Sequence, residues 1–319
     1  MRIYFILLFG LCLLSCDNDS KLAEEISAID VDFNIERFDT AFMEANPEDL
    51  QDLKNQFPFL FSKRVPDSVV IAKMNDTLQV ELLNEVKSKF TNLNETKDHL
   101  ESLFQHLKYY EKTFEAPRVV TLTNDVDYRN SVIVNDSLVL IALDNYLGSE
   151  HKFYQSFPKY ITENMTKQQI IADVAEGYAN QYAYQTNRKT LLDEMVYFGK
   201  LLYFKDVMTP FLSDTEKIGY TKKQLEWAKA NESSIWSYFI EKELLYSSDN
   251  KLSARFIANA PFSKFYLEKI DNESPGRLGQ YLGWQIVRAY AINSGKDIME
   301  IMQTEPEFLF NKSKYKPRK

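Results

Sequence analysis

Five carboxylates in or beside the helical half of the sequence are the first candidates for chemistry: Asp144, Asp173, Glu176, Asp193 and Glu194. Asp173 and Glu176 stand three apart on one expected helix, so their side chains share a face. Such a pair can divide general acid and general base between its members. Unpaired, the two would repel each other, and the same spacing also fits a solvated helix face. Arg277 falls in the first turn of an expected helix over Pro275–Asn293. A cation there opposes the helix dipole, so the sequence predicts a carboxylate partner for it within the fold.

The histidines point away from a metal centre. His99 and His106 lie seven apart on one expected helix, and His151 is the last in the chain. Helical zinc sites use His at i and i+4, as in H-E-x-x-H; a separation of two turns does not bring both rings to one ion. The two cysteines, Cys12 and Cys16, rule out thiol catalysis and any Cys-rich metal site. Gly276, Gly279 and Gly283 all fall within the expected Pro275–Asn293 helix. Each interior Gly costs ~1 kcal/mol relative to Ala. Their spacing of three and four puts them on one side, where a neighbouring element, or a ligand, can approach the backbone. Trp227, Trp236 and Trp284 read first as core and second as a sugar-stacking surface.

These residues are delivered to a particular place. Met1-Arg2 precedes an apolar run, Ile3 to Leu14, too short for a permanent span of about 20 residues. A basic start and a short apolar run define an export signal. Leu13-Leu14-Ser15-Cys16 resembles the lipobox of bacterial lipoproteins, which implies cleavage before Cys16 and acylation of that residue. Residues 1–15 are then the signal peptide and 16–28 the lipidated Cys and tether. Residues 29–310 form one domain and 311–319 a basic, solvated tail. The mature chain keeps no second Cys for a disulfide, so about 300 residues must be held by their core. A formal charge of −8 argues against a nucleic-acid partner.

The elements that position the candidates follow from periodicity. Val31, Phe33 and Ile35 alternate with polar residues as in a half-buried strand. Phe57-Pro58-Phe59-Leu60-Phe61 reads as an aromatic loop plugged into the core. Helices are expected over Thr77–Phe90, with Leu78, Leu82, Val86 and Phe90 inward, and over Glu95–Thr113. A strand follows at Arg118–Thr123, then a hairpin of Ser131–Val134 and Leu138–Leu143 across Asn135-Asp136. Leu138–Leu143 is apolar on both faces, which places it inside a sheet. Beyond Thr166 all is helical: Thr166–Tyr184, Thr190–Met208, Thr221–Glu243, Leu252–Asn259, Pro275–Asn293 and Ile298–Gln303. Thr221-Lys222-Lys223-Gln224 has capping-box form, and Ser274-Pro275 looks like a helix start. The fold class is α+β, an N-terminal sheet with helices followed by a mostly helical half.

Several strings taken together resemble the GldB family of gliding-motility lipoproteins. They are Phe33-Asn34-Ile35-Glu36-Arg37-Phe38-Asp39, Ile141-Ala142-Leu143-Asp144-Asn145-Tyr146-Leu147-Gly148 and Gly219-Tyr220-Thr221 leading to Trp227. Asn231-Glu232, Ile235-Trp236, Leu244-Leu245-Tyr246-Ser247-Ser248-Asp249, Ala260-Pro261-Phe262 and the run from Ser274-Pro275-Gly276-Arg277 to Trp284 complete the set. The family is similar to a wider group of predicted zinc peptidases, which implies a zincin-like fold with an active-site helix and a second helix carrying a glutamate ligand. The active-site helix corresponds to Ile170–Gly177, which contains no His, and the ligand glutamate falls at Phe198. The resemblance therefore implies a zincin scaffold with no metal, no cofactor and no catalytic residue. Asp144, Tyr146, Asp173, Glu176, Glu194 and Arg277 are the candidate cleft or binding residues, with Cys16 as the lipidation site. The implied role is that of an envelope component facing the periplasm, needed for gliding and associated with type IX secretion. Its partners are the membrane, through the lipid, and other proteins of that machinery. A hydrolase using the acidic residues, or a lipoprotein that binds peptide or glycan, stays open beside it.

Overall fold

The computed structural model describes residues 20–318. The signal segment and Cys16 lie outside the described residues. Residues 20–27 are helical, and Ile26 is buried. The protein is mixed α+β, about 60% helical, with a small four-stranded sheet.

The sheet runs in the order β1-β2-β4-β3. Strand β1 (Ile35–Arg37) pairs parallel with β2 (Arg118–Leu122), and β2 parallel with β4 (Leu138–Ala142). Strand β3 (Val132–Val134) closes the edge antiparallel to β4, with Ile133 opposite Leu140. The expected hairpin is thus present, turned by Asn135, whose Oδ1 accepts from Ser137 N at 3.0 Å. The inner place expected for β4 is also found. The alternation at Val31 and Phe33 does not extend the first strand. Those two residues are buried side chains outside the ladder, Phe33 meeting Phe104 edge-on at 4.9 Å.

Successive β2 residues face opposite layers, as the two-residue period requires. Val119 joins Val139 and Ile141 against α2 (Asn94–Tyr110) and α3 (Ile170–Tyr182). Val120 faces a smaller cluster with Phe42, Leu53, Phe57 and Leu83. Leu83 belongs to α1 (Thr77–Lys89), which is capped by Asp76 Oδ1 accepting from Gln79 N. The cap sets the phase of α1: Leu82, Leu83 and Val86 turn inward, and Leu78, expected to be buried, is exposed. In the aromatic loop only Phe57 enters the core. Pro58 starts a 3-10 turn that swings Phe59 outward beneath the Arg118 guanidinium.

Helix α4 (Leu191–Met208) links two cores. Leu201, Phe204 and Met208 pack toward the sheet, and Leu191, Leu192, Met195 and Val196 toward the C-terminal helices. A helix apolar all round belongs inside. The capping box of Thr190 with Asp193 starts it. Helix α5 (Leu278–Ser294) crosses α4 so closely that a Cβ on Gly283 would collide with the Met195 backbone and one on Gly199 with that of Gly283.

Two helical expectations need correction. Thr221–Glu243 is two helices, Lys222–Ala230 and Glu232–Glu241, broken at Asn231, whose Nδ2 donates to Trp227 O at 2.9 Å. Helix α5 begins at Leu278 rather than Pro275, because the preceding residues are tied elsewhere. Ser274 Oγ donates to Ser263 O, Pro275 O accepts from Ser263 N, and Gly276 O accepts from Tyr220 Oη. Gly276 is therefore outside the helix. The basic tail, expected to be solvated, is held after α6 (Pro306–Ser313). The buried Glu232 carboxylate accepts from Tyr281 Oη and Tyr315 Oη, both at 2.8 Å, and from Arg318 N at 3.0 Å.

Candidate functional site

A cavity of about 360 Å³ opens where the carboxyl end of β4 meets α3, α4 and the start of α5. The turn after β4 supplies Asn145 and Tyr146; α3 supplies Asp173 and Glu176; α4 supplies Phe198, Leu202 and Lys205; Arg277 and Gln280 close the far side. Of the six candidate cleft residues, Tyr146, Asp173, Glu176 and Arg277 meet here.

The two α3 carboxylates avoid repulsion by taking different partners. Asp173 Oδ2 accepts from Tyr146 Oη at 2.7 Å. Burial pushes the Asp173 carboxyl up to about 7, against the opposing effects of the tyrosine hydrogen bond and the Lys205 charge. The Tyr146 hydroxyl is likewise pushed well above its ordinary value, by burial first and the Asp173 charge second. Glu176 Oε2 lies 2.6 Å from Lys205 Nζ. Burial raises the Glu176 carboxyl, but the Lys205 charge and hydrogen bond, with help from Arg277, more than reverse this and hold it low. Glu176 is ringed by protein yet 45% exposed, because it borders the open cavity, whereas Lys205 is 3% exposed. The site is thus divided: one carboxyl near its midpoint at neutral pH, and one fixed as an anion.

Both cations also serve the backbone. The short helix Asp214–Ile218 ends at Gly219 in the left-handed region, φ 66°. Its last carbonyls need donors. Lys205 Nζ donates to Lys217 O at 3.0 Å, and Arg277 Nη2 donates to Gly219 O at 2.8 Å. Arg277 stacks over the Tyr220 ring, 5.3 Å from its centre. The carboxylate expected to pair with Arg277 is not there: among the described residues it forms no ion pair. Nor does it sit in the first turn. It precedes α5 with φ 59°, a conformation that costs a non-glycine residue roughly 1–2 kcal/mol.

Asp144 and Glu194 lie elsewhere. Asp144 is fully buried, and its carboxylate accepts from Val126 N at 2.8 Å and Asn124 N at 3.1 Å. It thereby holds a loop whose Asp125 and Val126 both have positive φ. Burial pushes it up to about 6 although those N–H groups oppose the shift. Glu194 borders a shallower neighbouring pocket with Arg188 and Tyr197, and only Phe198 lines both. His99 stacks on Phe211, and His106 Nδ1 lies 2.7 Å from Ser102 O.

Two cavity residues stand outside the expected set: Asn145 and Lys205. Lys205 did leave a signal: with Lys200 it is one of two cations flanking Leu201-Leu202-Tyr203-Phe204 on a helix that is mostly buried. A charge there must have a buried partner. Nothing in the local sequence marks Asn145, because its importance comes from a contact 21 residues away.

The donor set does not suit zinc. Among the described residues no three His, Cys, Asp or Glu converge to hold a metal ion. On α3 the acidic groups face Tyr146 and Lys205, and α4 presents the apolar Phe198 to the cavity.

Fold and site together define a largely helical α+β domain with one polar, internally paired cavity. The chain belongs to the GldB family: the family model described as gliding motility protein GldB matches residues 19–317. Membership gives it a role in gliding motility and the character of an envelope lipoprotein. No curated protein and no solved structure matches it. Among the described residues no helix is long and apolar enough to cross a membrane.

Proposed function

We propose that the chain is a non-catalytic binding component of the gliding machinery, anchored through lipid on Cys16, facing the periplasm and associated with type IX secretion. Its scaffold is that of a zincin that has lost its metal, and its cavity holds a peptide or glycan without turning it over. One observation carries this reading: both carboxylates in the cavity are engaged by protein partners, Asp173 by Tyr146 and Glu176 by Lys205. Each carboxylate is held by a protein donor where a general base would face a substrate proton, and Glu176 would have to give up Lys205 before it could ligate a metal. Helix α3 and Phe198 of α4 border the same cavity, which supports the zincin comparison.

The hydrolase reading keeps one specific support, the Asp173 carboxyl near 7, since perturbed groups in clefts are often catalytic. Elemental analysis of protein purified without chelators tests whether the site is metal-free. The expected zinc content is far below one equivalent. Zinc near one equivalent, lost in Glu176→Gln, would overturn the metal-free account.

Anchoring has its own test. Two or more acyl chains on one residue make attachment stable, where one is marginal. Cys16→Ala should abolish labelling by an alkyne fatty acid and release the protein from membranes. Equal labelling of variant and parent would refute lipidation at this residue.

A further inference from the structure

Asn145 is the cavity residue that the internal pairing leaves incomplete. It is 1% exposed, and its Nδ2 donates to Asn124 Oδ1 at 2.9 Å. Asn124 Nδ2 in turn donates to Asp127 O and Asn130 O, both at 3.0 Å, which fixes the orientation of both amides. Asn145 Oδ1 is left buried with no hydrogen-bond partner. Buried acceptors are almost always satisfied, so an orphan in a cavity wall calls for a donor from outside the chain.

Arg277 is incomplete in the complementary sense. Its guanidinium lines the same cavity and donates from Nη2 to Gly219 O, and its other donors make no hydrogen bond among the described residues. The guanidinium fork matches a carboxylate in shape as well as charge. It stands at the beginning of α5, a 17-residue helix with no side-chain cap from its N-cap residue, where an anion is favoured. Backbone strain is retained at this position in an arginine, where Gly or Asn would sit more easily.

Resting on the reading of the cavity as a non-catalytic binding site, we propose that it receives the C-terminus of a peptide. The terminal carboxylate pairs with Arg277, and a peptide N–H reaches Asn145 Oδ1 on a slight opening of the wall that now covers this atom. Phe198, Leu202, Ile218 and Ile257 supply apolar wall for a side chain. The volume, about 360 Å³, lies in the range of small-ligand sites, ~300–1,000 Å³. A simple inorganic anion would satisfy Arg277 and leave Asn145 orphaned. A glycan site would offer an indole platform to the sugar ring; no Trp lines this cavity.

The test uses the full-length protein in detergent and a pool of N-acetylated random tripeptides, offered with free C-termini or with the same C-termini amidated. Equilibrium dialysis with mass spectrometry reads what is retained. Free acids should be retained at least tenfold over amides, and Arg277→Asn should bring the acids down to the amide level. Asn tolerates the left-handed conformation, which offsets the lost bond to Gly219 O and the stack on Tyr220, so this variant should melt close to the parent. Asn145→Ala should weaken free-acid binding severalfold while preserving the preference for acid over amide. Equal retention of acids and amides, no retention of either, or an unchanged Arg277→Asn variant overturns the proposal. So does retention of uronate oligosaccharides, offered in a parallel dialysis, in place of peptides, although the binding reading then stands. Shorter cleavage products in the same spectra would overturn the non-catalytic reading itself.

Discussion

Gly283→Ala should lower the melting temperature by about 5 °C or more. A Cβ at this position meets Met195 O and C, which are backbone atoms inside the buried α4–α5 crossing. Overpacking a well-packed contact costs ~1–3 kcal/mol when side chains can shift. Helical backbone shifts less easily, so the upper part of that range applies. The gain in helix propensity from Gly to Ala is only ~1 kcal/mol. For a domain of this size each kcal/mol corresponds to roughly 2–4 °C. Gly199→Ala should behave similarly, since its Cβ meets the Gly283 carbonyl carbon. Gly279→Ala should be milder: its nearest obstacle is Ile257 Cδ1 at 2.7 Å, a side-chain end that can rotate, and the one backbone atom it crowds, Phe256 O, is 2.9 Å away. Thermal unfolding of the three variants checks the order, and a Gly283→Ala protein that melts with the parent would show that the crossing is not tight.

Lys205→Met should destabilise by ~1–3 kcal/mol at pH 8 and much less near pH 4. Breaking a fully buried pair costs more, ~3–5 kcal/mol, but Glu176 borders the open cavity and water screens it in part. The pH dependence follows from the parent. There Glu176 is held below its ordinary value, so its contribution is present above about 4.5 and is lost as the pH falls through the lower folded value. Without the lysine, burial is opposed only by the smaller effect of the Arg277 charge, and the carboxyl rises. The variant then loses stability as the pH rises from the ordinary value through the raised one. The gap between parent and variant therefore widens toward alkaline pH. Adding Glu176→Gln removes the stranded charge and should recover much of the loss. A gap that is the same at pH 4 and pH 8 would mean that Lys205 acts by packing and not by its charge.

What could be read in the sequence divides along physical lines. Local signals were legible: the Thr221 capping box, the β3–β4 hairpin, the inner position of Leu138–Ala142 and the pairing of Asp173 and Glu176 on one helix face all depend on neighbours within a few residues. The glycine pattern was legible as close packing, although Gly199, the other half of the crossing, lies 84 positions before Gly283 and carries no local mark. Arg277 was legible as a residue with a task and misjudged as to its partner, because a left-handed arginine before a helix is set by contacts from Ser263 and Tyr220, far along the chain. Asp144 looked like a cleft residue from its family string. Only the fold shows that it holds the loop with Asp125 and Val126.

The central claim, that the cavity holds a ligand and performs no proton chemistry, is most directly tested by Asp173→Asn in cells with no other copy of the protein. The amide can still accept from Tyr146, so the cavity keeps its shape while losing its one carboxyl near neutrality. Stability should show the substitution. A carboxyl raised from 3.8 to about 7 costs the parent stability progressively as the pH climbs between those values. The variant should gain on the parent across that window and hold a constant advantage above it. The account predicts gliding at the parent speed with a normal level of protein. Gliding abolished, with protein level and melting temperature at or above those of the parent, would contradict it and show that gliding needs the Asp173 carboxyl itself.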